Sequence, residues 1–327
     1  AWHDYDAGLY RVHKWRGDAN CEYLVLSYEY AAPTRDVSLA VGPDGRAHYC
    51  FVVEDGGEER LYYFRENPEG SVEQLITGPI AGGIDNPTLA VDAAGTPHIV
   101  FEGDIMGASW LFHMTAAGSE FEGPWDMIAG PNAREPDLTR YGDELYVTYV
   151  RDFWFPGLRE VCYQHATEEE FGWNWSPAVG YYWGLLVSSP SVAWDGGEEL
   201  LFSFILDNTG SAPLNHTCKM VGGEQGAVRW RAGDGLIYRS CVAATGPHTF
   251  VMLTQESGTG IPMNIYLRRG DGEVFYPRQR VNVHADVDWS FLAAGPGGGM
   301  LALWEDYETV LPYCLLYTSP SPRDSLH

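Results

Sequence analysis

Positive charge is scarce in this chain. Its 327 residues hold 45 Asp and Glu against 20 Lys and Arg, a net charge of −25. That balance argues against a nucleic-acid backbone as partner, because phosphate binding needs clustered cations. Long apolar runs are missing too. No stretch approaches the length of a membrane span, although 45% of the residues are hydrophobic and can fill a large core. No segment combines the length and the 3.6-residue period of a helix. Cysteine is sparse, six in all, with neither CxxC nor a zinc-type His/Cys spacing. Cys50, Cys162 and Cys241 fall inside strand-like runs and read as small core residues rather than a disulfide frame. There is no cofactor motif. Calcium held by acidic side chains is the one ion left open, and no DxDxDG-type loop supports it.

What is abundant is turn chemistry, with 38 Gly and 20 Pro, arranged in a repeat. "NPTLAVDAAGTPHIVFEGD" from Asn86 reads as apolar strand, tight turn, apolar strand, acid. Related phrases start at Asp36, Glu135, Ser189, Arg239 and Trp289. The first core aliphatics of the copies are Leu39, Leu89, Leu138, Val192, Val242 and Leu292, spaced 50, 49, 54, 50 and 50 residues apart. A third run follows in several copies, such as "LYYFRE" at Leu61 and "LFHMTA" at Leu111, and then a weaker fourth. A period near fifty built of short strands predicts four-stranded propeller blades, with strands A to D running from the axis outward.

The ends fit the same scheme. "LYRVHK" at Leu9 and "CEYLVLSYEY" at Cys21 read as C and D strands, and the sixth copy supplies A and B. Together they predict one shared blade closing a six-bladed all-β ring, which removes free sheet edges. A larger ring cut at both ends is the alternative. "CLLYTSPSPRD", Cys314 to Asp324, resembles translated read-through of a sequencing adapter. Residues 1–313 are therefore expected to form a single propeller domain, with 314–327 as a non-native tail. The chain starts at Ala1, with no signal segment to read.

In a propeller, the start of strand A and the end of strand B open on one mouth. Three residues after the last apolar residue of strand B stand Glu54, Asp104, Asp152, Asp207, Glu256 and Tyr307. These are the candidate catalytic residues. At the strand A entrance, Arg35, Asp36, Asp85, Arg134, Glu135 and Arg239 are the candidate substrate-binding groups, since guanidiniums and carboxylates hold sugar hydroxyls or a carboxylate in fixed geometry. Two aromatic stretches, "RDFWFPGLRE" at Arg151 and "GYYWGLL" at Gly180, are expected as mouth loops. They would present Trp154 and Trp183, with Phe153, Phe155, Tyr181 and Tyr182, to sugar rings. His48 and His98 share a repeat position occupied elsewhere by Tyr146, Leu201, Phe250 and Leu301, so both read as core histidines.

"TRDVSLAVGPDG", Thr34 to Gly45, resembles the first-blade strand of the sialidase-like propellers, with Arg35 in the arginine place. Asp36-Val37 stands where that family has Ile-Pro, and no S-x-D-x-G-x-x-W box is present. The resemblance implies a six-bladed ring, a carbohydrate ligand, and a tyrosine near the last mouth, where Tyr307 lies. Two functions follow from these readings. One is a glycoside hydrolase using two mouth carboxylates. The other is a non-catalytic glycan- or protein-binding propeller. Either is expected as a monomer outside the cell or at its surface, with a glycan or glycoconjugate as partner, no nucleic acid and no membrane span.

Overall fold

The computed structural model describes residues 2–6, 9–17, 23–30, 34–66, 72–76, 83–117, 120–121, 126–153, 157–169, 172–207, 213–231, 236–257, 264–280, 287–294, 300–306 and 313–317. Among the described residues every regular element is a strand, and no helix is long and apolar enough to cross a membrane. The architecture is a β-propeller of four-stranded antiparallel blades.

An N-terminal meander holds β1 (Trp2–Asp6), β2 (Leu9–Gly17) and β3 (Tyr23–Tyr30). Blade 1 follows with β4 (Thr34–Val41), β5 (Ala47–Asp55), β6 (Glu58–Glu66) and β7 (Val72–Ile76). Blade 2 has β8 (Asp85–Val91), β9 (Pro97–Ile105) and β10 (Ala108–Ala117), and its outer place is split between β11 (Glu120–Phe121) and β12 (Asp126–Ala129). Blade 3 has β13 (Ala133–Tyr141), β14 (Glu144–Asp152) and β15 (Leu158–Glu169), with its outer place split between β16 (Gly172–Trp175) and β17 (Val179–Leu185). Blade 4 is β18 (Val187–Trp194), β19 (Glu199–Leu206), β20 (Leu214–Val221) and β21 (Glu224–Arg231). Blade 5 is β22 (Leu236–Gly246), β23 (Thr249–Ser257), β24 (Asn264–Gly270) and β25 (Gln279–Arg280). The last sheet is β26 (Val287–Ala294), β27 (Met300–Asp306) and β28 (Tyr313–Tyr317).

All six repeat markers lie on the inner strands β4, β8, β13, β18, β22 and β26. The expected count of six blades is corrected: five complete blades are present, flanked by two three-stranded sheets. The strands of the two chain ends pair only within their own sheets. β1 forms a local hairpin with β2, and β28 takes the place beside β27 that an N-terminal strand was expected to fill. Closing a local hairpin costs less chain entropy than joining the two ends of the sequence. β28 includes residues 314–317 of the segment expected to be a tail. β26 packs against both β22 and β4.

The second strands are buried on both faces, which is why their alternation is faint in the sequence. β19 is buried throughout, and β9 for its first seven residues. Facing blades interlock through these residues; one cluster joins Cys50, Leu61 and Tyr63 of blade 1 to Leu89, Ile99 and Phe101 of blade 2. Cys50, Cys162, Cys218 and Cys241 are free thiols, and the first three are buried.

A belt of hydrogen bonds ties the inner strands together. Ser38 Oγ accepts from Leu89 N at 3.2 Å, Thr88 Oγ1 from Leu138 N at 3.0 Å, Asp137 Oδ2 from Val192 N at 2.8 Å, and Ser191 Oγ from Val242 N at 3.1 Å. Each acceptor directly precedes its blade's marker residue. It reaches the marker amide of the next blade, so N–H groups on the crowded axis are satisfied between sheets.

His48 and His98 are core residues, as are His113 and His216. His48 bonds Tyr63 OH, and His98 stacks on His113 against Trp173. Burial holds His48 and His216 down to about 4 and lowers His113 as well. A folded value below the unfolded 6.5 gives full stability above that pH and a loss as pH falls towards 4. Urea-unfolding midpoints are expected to be flat from pH 8 to 7 and to fall by pH 4.5, each fully buried histidine costing on the order of 2 kcal/mol. His48→Leu should flatten that slope, whatever it costs at neutral pH.

Candidate active site

The inner strands surround an axial cavity of about 920 Å³. One end is lined by Asp36, Asn86, Glu135, Ser189, Tyr238 and Arg239. Every inner strand has a register shift there, between Arg35/Ser38, Asp85/Thr88, Arg134/Asp137, Ser188/Ser191, Ile237/Arg239 and Val287/Ser290. At four of these bulges the central residue is left-handed: Asp36 (φ 56°), Asn86 (47°), Glu135 (54°) and Ser189 (49°). A proline follows in three cases, Pro87, Pro136 and Pro190, at places where the ladder needs no N–H donor. Asn and Asp adopt this conformation readily; Glu and Ser do so at a cost, so the surroundings must hold them.

Carboxylates supply that hold. Glu102, 8% exposed, accepts Glu135 N at 2.6 Å and Asn86 Nδ2 at 2.7 Å through one oxygen. Glu135 Oε2 accepts Ser189 N at 2.7 Å. Burial pushes the Glu102 carboxyl upward, its two donors pull it down, and the charges of Asp85 and Glu135 raise it further. Beside them, Asp152 sits between two guanidiniums. It pairs with Arg134 and, through Oδ1, with Arg159 Nε at 2.9 Å. Arg159 also donates to Val187 O at 3.1 Å and lies 3.9 Å from Glu135 Oε1.

The sequence-derived candidates divide into groups. Asp36, Glu135 and Arg239 line the cavity mouth, and Asp85, Arg134 and Asp152 stand at the same end. Glu54 and Asp104 lie farther out at hairpin turns and are exposed; Asp104 caps the turn by accepting Gly107 N at 2.8 Å. Glu256, 2% exposed, is held by Thr254 Oγ1 at 2.7 Å, Arg268 at 3.2 Å and Arg278, a knot that ties β23 to the β24–β25 segment. Asp207 donates its backbone N–H to Leu186 O at 3.4 Å. Tyr307 and Trp154 lie outside the described residues, as does the side chain of Arg35.

The stretch expected as an aromatic mouth loop at Gly180 is strand β17. A bulge at Tyr181 breaks the alternation, so Tyr181 and Tyr182 both reach Phe204 between blades 3 and 4, and Trp183 is left 68% exposed. Sequence reasoning missed Glu102, Arg159 and Tyr238. Tyr238, 50% exposed, is an aromatic at the cavity mouth, and the strand A register already contained it.

Among the described residues, Asp195, Glu199 and His248 bring donor atoms within 4.8 Å of one another, at the opposite end from the mouth. Lys219 Nζ lies 3.0 Å from Glu199 Oε2 and already supplies the positive charge there. His248 N donates to Asp195 Oδ2 at 3.0 Å, which makes the group a knot between blades 4 and 5 and a poor fit for a metal.

No family model matches the sequence, and no curated protein does. Solved structures match the fold. A protein of unknown function from Dyadobacter fermentans is 10% identical with a TM-score of 0.61, over 83% of this chain and 90% of that one. NanB sialidase from Streptococcus pneumoniae is 9% identical with a TM-score of 0.61, over 94% and 70%. An ulvan lyase of polysaccharide lyase family PL25 is 12% identical with a TM-score of 0.57, over 96% and 90%. The chain thus shares its β-propeller arrangement with sialidase and polysaccharide lyase propellers.

Proposed function

We propose that this chain is a carbohydrate-active propeller, and that it hydrolyses glycosidic bonds at the axial mouth. The observation that carries the reading is the pair Asp36 and Glu135. Both are carboxylates in left-handed bulge positions, both line the cavity, and they come from blades 1 and 3 with Asn86 between them. Two carboxylates facing one cavity from different blades can supply the acid and the base that cleavage of a sugar linkage needs. Asn86 and Ser189 offer hydrogen bonds to hydroxyls, and Tyr238 offers a ring for the apolar face of a sugar. The fold neighbours, named sialidase and ulvan lyase, are consistent with a glycan as partner, and with a place outside the cell.

One observation favours a binding role without turnover. Glu135 Oε2 accepts Ser189 N and Oε1 lies 3.9 Å from Arg159, so both oxygens already face protein groups, as in a site built to hold a ligand in place. The two readings separate in one experiment. The full chain is incubated with a panel of defined oligosaccharides while new reducing ends and binding are both measured. Turnover supports the hydrolase, and binding without turnover from pH 4.5 to 8 supports the second reading. No interaction with any glycan overturns both.

A further inference from the structure

We infer, building on the carbohydrate reading, that the glycan taken at this mouth carries no carboxylate or sulfate group. An anionic sugar is held where guanidinium N–H groups point at the ligand and their charge is not already balanced. Two of the three described arginines at this end are committed to the protein's own acids. Arg134 is paired with Asp152. Arg159 gives Nε to Asp152 Oδ1 at 2.9 Å and NH1 to Val187 O at 3.1 Å, and Glu135 lies 3.9 Å away.

The wider balance has the same sign. Among the described side chains at this end, Arg134, Arg159 and Arg239 stand against Asp36, Asp85, Glu102, Glu135 and Asp152. A second anion brought to this rim meets carboxylates before it meets an uncommitted pair of donors from Arg134 or Arg159, and that repulsion is strengthened near a low-dielectric wall. Uncharged hydroxyls meet the opposite situation. The rim is rich in oxygens, and a carboxylate oxygen that already accepts one protein donor, as Glu135 Oε2 does from Ser189 N, keeps a second lone pair for a hydroxyl; Asn86 Oδ1 and the hydroxyl of Ser189 add to these. Asp152 is then the positioning residue that sets the charge class of the ligand by occupying both guanidiniums.

The test is calorimetric titration of the full chain with two sets of probes. Xylohexaose, cellohexaose and arabinohexaose are neutral; 3′-sialyllactose, tetragalacturonate and a sulfated rhamnose–glucuronate oligosaccharide are anionic. The native protein is expected to bind from the first set and not from the second. Asp152→Ala, which releases Arg134 and Arg159, is expected to gain affinity for an anionic probe by about tenfold or more, with the gain lost at high salt. Thermal melts accompany each variant, and Asp152→Asn, which keeps the shape and removes the charge, replaces the alanine variant if that one fails to fold. Binding of an anionic probe by the native protein overturns the inference and leaves the carbohydrate reading standing. No gain in a folded Asp152 variant also overturns it. Failure of every probe on native and variant protein alike overturns the carbohydrate reading, and the inference with it.

Discussion

Glu135→Gln is expected to lower glycan hydrolysis by about 10²–10⁴-fold while glycan binding and thermal stability stay close to native. Glutamine keeps an oxygen to accept Ser189 N, now 2.7 Å from Glu135 Oε2, and it leaves the backbone N–H of residue 135 on Glu102. The bulge that presents the side chain therefore survives, and only the ability to carry a proton or a negative charge is lost. Asp36→Asn should act in the same way from the other side of Asn86. Initial rates on the best substrate of the panel, with binding measured on the same samples, check both. Retained rates in both variants would remove the proposed acid–base pair from the mouth.

Asp137→Leu is expected to be the most destabilising single change on the channel wall, by about 2–6 kcal/mol. Leucine branches at the same carbon as aspartate but is bulkier, so crowding adds to the loss of its hydrogen bonds. Asp137 accepts Ser191 Oγ at 2.8 Å and Val192 N at 2.8 Å from the next blade, and Thr88 Oγ1 at 3.2 Å from the previous one. An apolar side chain strands the Ser191 and Val192 donors between sheets, at about 1–3 kcal/mol each, and leaves the weaker 3.2 Å bond from Thr88 Oγ1 unmade as well. Leu138 N is spared, because Thr88 Oγ1 accepts it at 3.0 Å. Asp137→Ser should cost roughly half as much, since a hydroxyl fills this place in the blades carrying Ser38, Thr88 and Ser191 and still accepts one amide. Urea unfolding of the three proteins gives the order, and equal stabilities would show that the belt adds nothing net.

Much of the ring was legible in the amino-acid sequence, and the reasons are specific. Leu39, Leu89, Leu138, Val192, Val242 and Leu292 recur at a nearly fixed period because each holds the same place on an inner strand, shortly after the bulge, and the neighbouring blades enforce that place in every copy. The bulge residues kept register for the same reason. The number of blades was not legible, because β1 and β28 meet their hydrogen-bonding needs with adjacent strands, and nothing in the repeat itself counts turns of the ring. The acids were half legible. An offset shared by five copies led outward to Glu54 and Asp104 at hairpin turns. The buried acid that grips the rim, Glu102, has a glutamate at the same offset only in the sixth copy, Glu305, while Val52, Val150, Ile205 and Thr254 stand in the others. Repeat averaging finds what all blades need for folding and hides what one blade does alone. Arg159 was hidden differently: it starts the third strand of its blade, away from the entrance where arginines were sought.

The belt on the inner strands has a consequence for how such a chain changes over evolutionary time. Acceptor and donor of each joint are adjacent in sequence: Ser38 with Leu39, Thr88 with Leu89, Asp137 with Leu138, Ser191 with Val192. One copy of the repeat therefore encodes a socket for its successor and a plug for its predecessor. A tandem duplication of a blade's coding segment inserts a unit that already fits on both sides, and an excision leaves two neighbours that still match. Ring size can then drift by whole blades without inventing an interface, while residues outside the belt, such as Arg159 on a third strand, diverge blade by blade.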